Sequence, residues 1–128
     1  MEQQNSYRGF KELNCWKEGR ELRKLVSKLV KIFPDTEKYL LCSQTTRAAR
    51  SVTNNIAEGY GRYTYTDTRH FFIQSRGSLT EILDQLSIAV DEEYIDEEQA
   101  NVIEQQCETV FKLINGYIAY LDKSKKGQ

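Results

Sequence analysis

Residues 51–62 read SVTNNIAEGYGR, and together with residues 44–50 they predict one long helix that ends on two glycines. An apolar stripe runs along this segment in steps of seven and four residues, which is the spacing of a single helical face. Its members are Leu41, Ala48, Val52, Ile56 and Tyr60. The pattern predicts a helix from about Leu40 to Tyr60 that packs by this stripe.

A polar stripe lies beside the apolar one, because neighbouring residues of a helix are about 100° apart. An exposed helix face is usually rich in Lys and Glu, whereas this stripe combines amides, a hydroxyl and a Glu58–Arg62 pair at i,i+4 spacing. Such a mixture suits a partly buried contact in which each polar group finds a partner. We predict that this polar stripe is a subunit interface, and its members are Gln44, Arg47, Ser51, Asn55, Glu58 and Arg62.

Three further segments have the apolar period of a helix, and sustained strand-like alternation is absent. The first of them starts near Leu13 or Asn14 and ends before Pro34, which disfavours a helical conformation in the preceding residue. Four amphipathic helices joined by short breaks predict an all-α fold, an antiparallel up-down-up-down four-helix bundle. We expect a single domain over residues 1–128, with an ordered core at about 10–122.

Short polar residues mark the expected helix starts. The expected caps of the second and third helices are, in order, Asp35 or Thr36 and Thr66 or Asp67. Asp96 and Gln99 have the spacing of a capping box before the fourth helix. In the third helix, Gly77 and Ser78 are small residues that predict a close crossing with another helix.

Charge is nearly balanced overall but uneven along the chain. Residues 1–80 hold 14 Lys and Arg against 8 Asp and Glu, and residues 81–128 hold 4 against 11. These balances of +6 and −7 sum to the formal net charge of −1. The asymmetry indicates head-to-tail self-association or a localised basic patch, rather than a protein that coats nucleic acid over its whole surface.

Cysteine usage and hydropathy indicate the compartment. Cys15, Cys42 and Cys107 are odd in number and include no CxxC pair, so reduced thiols are expected. The N-terminus has no apolar core of a signal peptide, and no apolar run approaches the roughly 20 residues that span a bilayer. We expect a cytoplasmic protein with no membrane partner.

The chain offers few residues for catalysis. His70 is the single histidine and stands beside Phe71, where a packed or surface role is expected. The motifs GxSxG, HExxH and the P-loop are absent. A metal-dependent enzyme built on Glu58 and Glu81 is the alternative, but no Glu-x-x-His pair supports a di-metal site. We predict no catalytic residue, no cofactor and no metal.

Arginines are concentrated on the second and third helices and the turn between them. Arginine with interleaved aromatic residues is a common way to hold phosphates and stack bases. The candidate contacts for RNA or DNA are Arg50, Arg69, Arg76, Tyr63 and Tyr65. The alternative is ion pairing of these arginines between helices or subunits, with the acidic fourth helix as the partner.

The string NNIAEGYGR resembles the signature of the four-helix bundle proteins named for the 23S rRNA intervening sequence, the S23 family. The residues before it that share the resemblance are Gln44, Arg47, Ala48, Ala49 and Ser51. Phe33-Pro34 and RGSLTEILDQL at 76–86 resemble that family as well, so the similarity covers roughly Phe10 to Leu121. The resemblance implies a bacterial-type antiparallel bundle that assembles into a homopentameric ring or barrel. Related proteins include the accessory variability determinants of diversity-generating retroelements, which bind nucleic acid and a reverse transcriptase.

The residues and the resemblance together predict a non-enzymatic, self-assembling scaffold or adaptor. Its first partner is itself, as a homo-oligomer that the resemblance makes a pentamer. RNA or DNA, bound through a basic patch of the second and third helices, and a nucleic-acid enzyme are its further expected partners. The alternative is a protein-binding bundle with no nucleic-acid role.

Overall fold

The computed structural model describes residues 9–126, and four α-helices account for most of them. They are α1 (Asn14–Leu29), α2 (Leu41–Tyr60), α3 (Tyr65–Asp91) and α4 (Glu97–Lys126). No strand occurs within residues 9–126. The predicted all-α fold with four helices is confirmed.

Helices α2 and α3 run in opposite directions, as the order of their contacts shows. Gly59 of α2 lies against Phe72 of α3, whereas Ser51, two turns earlier, bonds to Ser78, further along α3. The packing order is α1–α2–α3–α4, with α4 returning to α1 and closing the bundle. Each helix therefore has two neighbours, and the α1–α2 groove lies opposite the α3–α4 groove.

The core is formed by the apolar stripes that the sequence predicts. The large side chains with at most 1% exposure include Leu22, Val26, Val52, Ile56, Phe72, Leu79, Ile82, Leu86, Val110 and Ile114. Tyr60, the last member of the α2 stripe, is instead 44% exposed. It lies in the last turn of α2, at the end of the bundle, where fewer neighbours cover it.

The predicted cap of α2 is wrong. Asp35 and Thr36 lie in a separate 3-10 turn, and α2 begins only at Leu41. The carboxylate of Glu37 accepts the backbone N–H of Leu41 at 3.2 Å. Capping is thus done by a longer side chain reaching across four residues, because the chain forms this extra turn after Pro34.

The predicted cap of α3 is displaced by two residues. Thr64 has an extended backbone (φ −103°, ψ 153°), and its hydroxyl accepts the N–H of Asp67 at 3.2 Å. Thr66 therefore lies inside the first turn of α3. The capping box of α4 is confirmed, because the Gln99 N–H donates to Asp96 Oδ1 (2.7 Å) and the Asp96 N–H donates to Gln99 Oε1 (2.9 Å).

The close approach of α2 and α3 occurs at Gly59. A Cβ built at Gly59 would lie 2.9 Å from the Cβ of Phe71, whereas one built at Gly77 would have nothing within 4 Å. The prediction that Gly77 marks a helix crossing is therefore wrong within residues 9–126. Its neighbour Ser78 does lie at the α2–α3 contact.

Candidate functional site

The polar stripe follows the edge of α2 that borders α3. Ser51 and Asn55 are half-buried in the α2–α3 seam. The other four members are exposed: Gln44, Arg47, Glu58 and Arg62. The stripe thus presents a row of charged and amide groups along a fixed helical edge.

Hydrogen bonds within the chain hold the centre of this stripe. Ser78 Oγ donates to Ser51 Oγ (2.8 Å), and Asn55 Nδ2 donates to the hydroxyl and the carbonyl of Ser51 (2.9 Å each). Ser75 Oγ, fully buried, donates to the carbonyl oxygen of Val52 (2.8 Å). Ser51 therefore joins α2 to α3 through Ser78, and Asn55 holds Ser51 in place from within α2.

The end of the stripe is organised around Arg62. Its guanidinium donates to Glu58 Oε2 at 2.7 Å and lies 4.8 Å from the centre of the Phe71 ring. Both charged side chains are more than two-fifths exposed. An ion pair and a cation–π contact of this kind orient the arginine without removing it from the surface.

The outward side of α2 is basic. No Asp or Glu occurs from Lys38 to Ala57. A shallow cleft of about 460 Å³ lies on this side, which we call the basic cleft, and its lining residues are Lys38, Cys42, Ser43, Thr46, Arg47, Arg50, Ser51 and Asn54. Arg47 and Arg50 form no ion pair with any residue in 9–126. Their charges are available to a partner.

The groove between α1 and α2 continues the basic cleft. Arg23 and Lys24 of α1 line a smaller cleft of about 190 Å³ that shares Thr46 and Arg50 with the first. Arg23 donates to the Thr53 hydroxyl at 2.8 Å, which holds it over α2. The outer face of α1 adds an exposed row in steps of three and four residues, formed by Lys17, Arg20, Lys24 and Lys28, and Lys31 continues it in the 3-10 turn after α1.

The structure does not bring the five candidate nucleic-acid residues together. Arg50 lies at the α1–α2 groove, and Tyr63 is fully exposed in the α2–α3 turn. Arg69 donates to Asp122 of α4 at 2.9 Å, and Tyr65 also donates to that carboxylate. Tyr65 and Arg69 thus lie at the α3–α4 groove, opposite the groove that contains Arg50. The hydrogen bond to Asp122 is the main reason why the pKa of the Tyr65 hydroxyl is raised.

Arg76 is also directed into the α3–α4 seam. Its guanidinium donates to Asn115 Oδ1 at 2.8 Å and lies 5.6 Å from the centre of the Phe111 ring. For Arg69 and Arg76, the structure therefore favours the alternative role of bonding to the fourth helix. Arg50, Arg23 and Lys24 form a basic surface that the sequence pattern alone did not assemble.

An acidic cleft lies in the α3–α4 groove. It has a volume of about 470 Å³, and its lining residues are Ser87, Val90, Asp91, Glu97, Glu98, Ala100, Asn101 and Glu104. None of its four carboxylates forms an ion pair with a residue in 9–126. The uneven charge of the sequence thus becomes two separate clefts of opposite sign. The sequence feature that could have predicted the basic cleft is the segment 38–57, which contains no Asp or Glu.

The residues considered for enzymatic chemistry lie apart. Glu58 and Glu81 are both exposed, and Glu81 lies about two and a half turns beyond Phe72, which is level with Gly59. They do not face each other inside the bundle. Between residues 9 and 126, no group of three or more His, Cys, Asp or Glu side chains is arranged to hold a metal ion. His70 is a surface residue that contacts Gln74 (3.0 Å) and Phe71.

The three thiols are free, and two of them are buried in the core. Burial raises the pKa of Cys15 to about 11 and that of Cys107 to about 12. The thiol of Cys42 donates to the carbonyl oxygen of Val30 at 3.5 Å. Desolvation is the main cause of a raised pKa of this thiol, and the negative charge of Glu37 is the second. Raised values keep the thiols protonated and unreactive near neutral pH. In the part of the chain that is described, no helix has the length and apolar character to cross a membrane.

Comparison with known proteins identifies the family of this chain. Residues 11–116 match the model of the family described as 23S rRNA-intervening sequence protein. The crystal structure of a protein with unknown function from the S23 ribosomal protein family of Bacteroides thetaiotaomicron superposes with a TM-score of 0.75 at 20% sequence identity. The match covers 81% of this chain and 97% of that chain, and at this identity it shows a shared fold. No curated protein matches the chain.

Proposed function

The chain belongs to the 23S rRNA-intervening sequence protein family, and on this premise we propose that it is a self-assembling scaffold or adaptor rather than an enzyme. The observation that carries the proposal is the outward edge of α2. There Gln44, Arg47 and Arg50 are exposed beside the hydrogen-bonded Ser51–Asn55 pair, on a helix whose other face is fully buried. In an assembly this edge fixes the register of neighbouring subunits, because mispairing leaves amide and charged groups without partners.

The mass of the protein in solution tests this proposal. We expect an oligomer, with five copies as the number that the family resemblance implies. Replacing Gln44 and Glu58 together by alanine should shift the mass or raise the dissociation constant, because both lie on the polar stripe and neither contributes to the core. Glu21→Ala is the matched control, since it removes an equally exposed ion pair, that with Lys24, from the outer face of α1.

Sedimentation equilibrium of the three proteins gives the answer. A wild-type protein that remains monomeric at every concentration would contradict self-assembly. If the stripe variant and the control behave alike, the protein assembles but the polar stripe is not part of its interface.

A second candidate function is binding of RNA or DNA, and the basic row of α1 favours it. Four exposed Lys and Arg side chains share one face of α1, and Lys31 continues the row in the 3-10 turn that follows. Lys24 of this row lines a cleft together with Arg50. In an oligomer, the rows of several copies add to one positive surface that attracts phosphates. A nucleic-acid enzyme as a further partner stays a prediction, and a protein-binding bundle without nucleic acid is the alternative.

Salt dependence separates these alternatives. We expect a fluorescent single-stranded RNA or a DNA duplex to bind at about 50 mM salt and to bind far more weakly at about 200 mM, because each phosphate contact releases a counterion. Replacing Lys28 and Lys31 by alanine should reduce the slope of log K against log salt by about 2. Lys112→Ala with Lys123→Ala on α4 is the control. No binding at low salt would favour the protein-binding bundle.

A further inference from the structure

We propose that the surface around the basic cleft of α2 packs against the surface around the acidic cleft of a second copy of this chain, so that copies join head to tail. The inference rests on the proposed self-assembly and adds the second half of the contact, which the polar stripe alone does not identify. The partner is therefore another copy of the same protein, recognised by opposite charge.

The basic side supplies cations that form no ion pair with any residue the structure describes. Arg47 and Arg50 project from an α2 face that has no acidic residue, and Lys38 stands at its end. Beside Lys38, Tyr39 is 83% exposed and Leu40 is 59% exposed. Cations next to exposed aromatic and aliphatic side chains have the composition of an interface centre with a charged rim.

The acidic side supplies the complement. Asp91, Glu97, Glu98 and Glu104 line one cleft, and they have no ion pair among the residues that the structure describes. Val102, one turn beyond Glu98, is 55% exposed. Leaving four carboxylates together without a cation is unfavourable for the isolated chain, and docking against Arg47 and Arg50 of another copy relieves that repulsion.

Both clefts lie at the same end of the bundle. The basic cleft begins at the α1–α2 connection and the acidic cleft surrounds the α3–α4 connection. These two connections are in direct contact, because the Tyr94 hydroxyl donates to Glu37 Oε2 at 2.7 Å. Copies joined through the two clefts therefore sit side by side, without a step along the bundle axis.

The contact joins two different surfaces, so it is heterologous. An interface of this type produces a closed ring when the rotation between copies closes, and an open chain when it does not. It differs from a two-fold dimer, in which the same patch meets itself. The opposite location of the α1–α2 and α3–α4 grooves leaves each copy free to contact one neighbour on each side.

Charge reversal on each side, followed by mixing, tests the inference. The base-reversed protein carries Arg47→Glu and Arg50→Glu. The acid-reversed protein carries Glu97→Lys, Glu98→Lys and Glu104→Lys, which leaves Asp91 as the one acidic residue of that cleft. Each should lose self-association by more than about tenfold in dissociation constant, because like charges then face each other. A mixture of the two should associate again, since one now has two acidic clefts and the other two basic ones. Sedimentation velocity of each protein and of the mixture is the measurement.

Two controls lie at the opposite end of the bundle, Lys123→Glu and Asp67→Lys, and should assemble like wild type. If a reversed protein does not fold, the milder single variants Arg50→Gln and Glu98→Gln replace the base-reversed and the acid-reversed protein. Each should also weaken self-association. A wild-type monomer would contradict the proposed function itself. An oligomer that both reversed proteins retain, or a loss that mixing does not repair, would overturn the head-to-tail contact alone.

Discussion

Gly59 of α2 lies so close to Phe72 of α3 that a Cβ on the glycine would be 3.0 Å from two atoms of the phenyl ring. Phe72 is fully buried and stacks on Tyr117 of α4 with ring centres 4.5 Å apart. The ring is therefore fixed from both sides, and it cannot move away from a larger residue at position 59. This contact sets how closely α2, with its polar stripe, approaches α3.

Gly59→Ala should destabilise the protein, and Gly77→Ala should stabilise it. At Gly59 the added methyl group overpacks the core by about 1–3 kcal/mol, which exceeds the gain in helix propensity of about 1 kcal/mol. At Gly77 nothing lies within 4 Å of the new Cβ, so the propensity gain of about 0.5–1 kcal/mol remains. Urea unfolding of the two variants measures both values. Equal effects at the two positions would contradict the close contact.

Asp122→Ala should lower the free energy of unfolding by about 1 kcal/mol. Its carboxylate accepts from Tyr65 and from Arg69 Nε (2.9 Å), and so ties the start of α3 to the end of α4. Glu108→Ala is the control, because its contact with Lys112 spans 3.9 Å on an exposed face. The control should change stability by less than about 0.5 kcal/mol. Thermal and urea unfolding in parallel compare the two.

Asp96→Ala should cost about 1 kcal/mol, because it leaves the N–H of Gln99 without its cap. Gln99→Glu should be tolerated, since glutamate accepts the Asp96 N–H in the same way and its charge suits the helix N-terminus. Comparison of the two unfolding midpoints checks the capping box. A neutral Asp96→Ala would show that α4 starts elsewhere in solution.

Cys15 and Cys107 should resist alkylation in the folded protein at pH 8. Their pKa values of about 11 and about 12 leave almost no thiolate at that pH, and both side chains are buried. The Cys42→Ser variant isolates these two thiols, and its rate of reaction with iodoacetamide is the measurement. The same variant in denaturant should react at both positions. Fast modification of the folded variant would contradict the burial.

The bundle could be predicted from the sequence because its helices are strongly amphipathic. Val52, Ile56, Leu79 and Ile82 follow the helical period, and the buried core contains all four. The start of α2 was predicted to within one residue, but its cap could not be predicted, because Asp35 and Thr36 are better local caps than Glu37. The path of the chain after Pro34 selects Glu37.

The candidate site was predicted only in part. The polar stripe follows from helical spacing, and the structure places five of its members on α2 and the sixth, Arg62, in the turn that follows, where it bonds to Glu58. The basic surface could not be assembled in the same way, because it joins Arg50 to Arg23 and Lys24, which are more than 20 residues away along the chain. Spacing within one helix carries no information about which neighbouring helix a side chain faces.

The sequence by itself determined the four helices, their buried faces and the imbalance of charge between the two parts of the chain. Only the tertiary structure decided the partners of the arginines. It directs Arg69 and Arg76 to Asp122 and Asn115 of α4 and leaves Arg50 open beside α1. The physical reason is that helical periodicity is a local property, whereas the pairing of charges depends on which helices the packing of the core brings side by side.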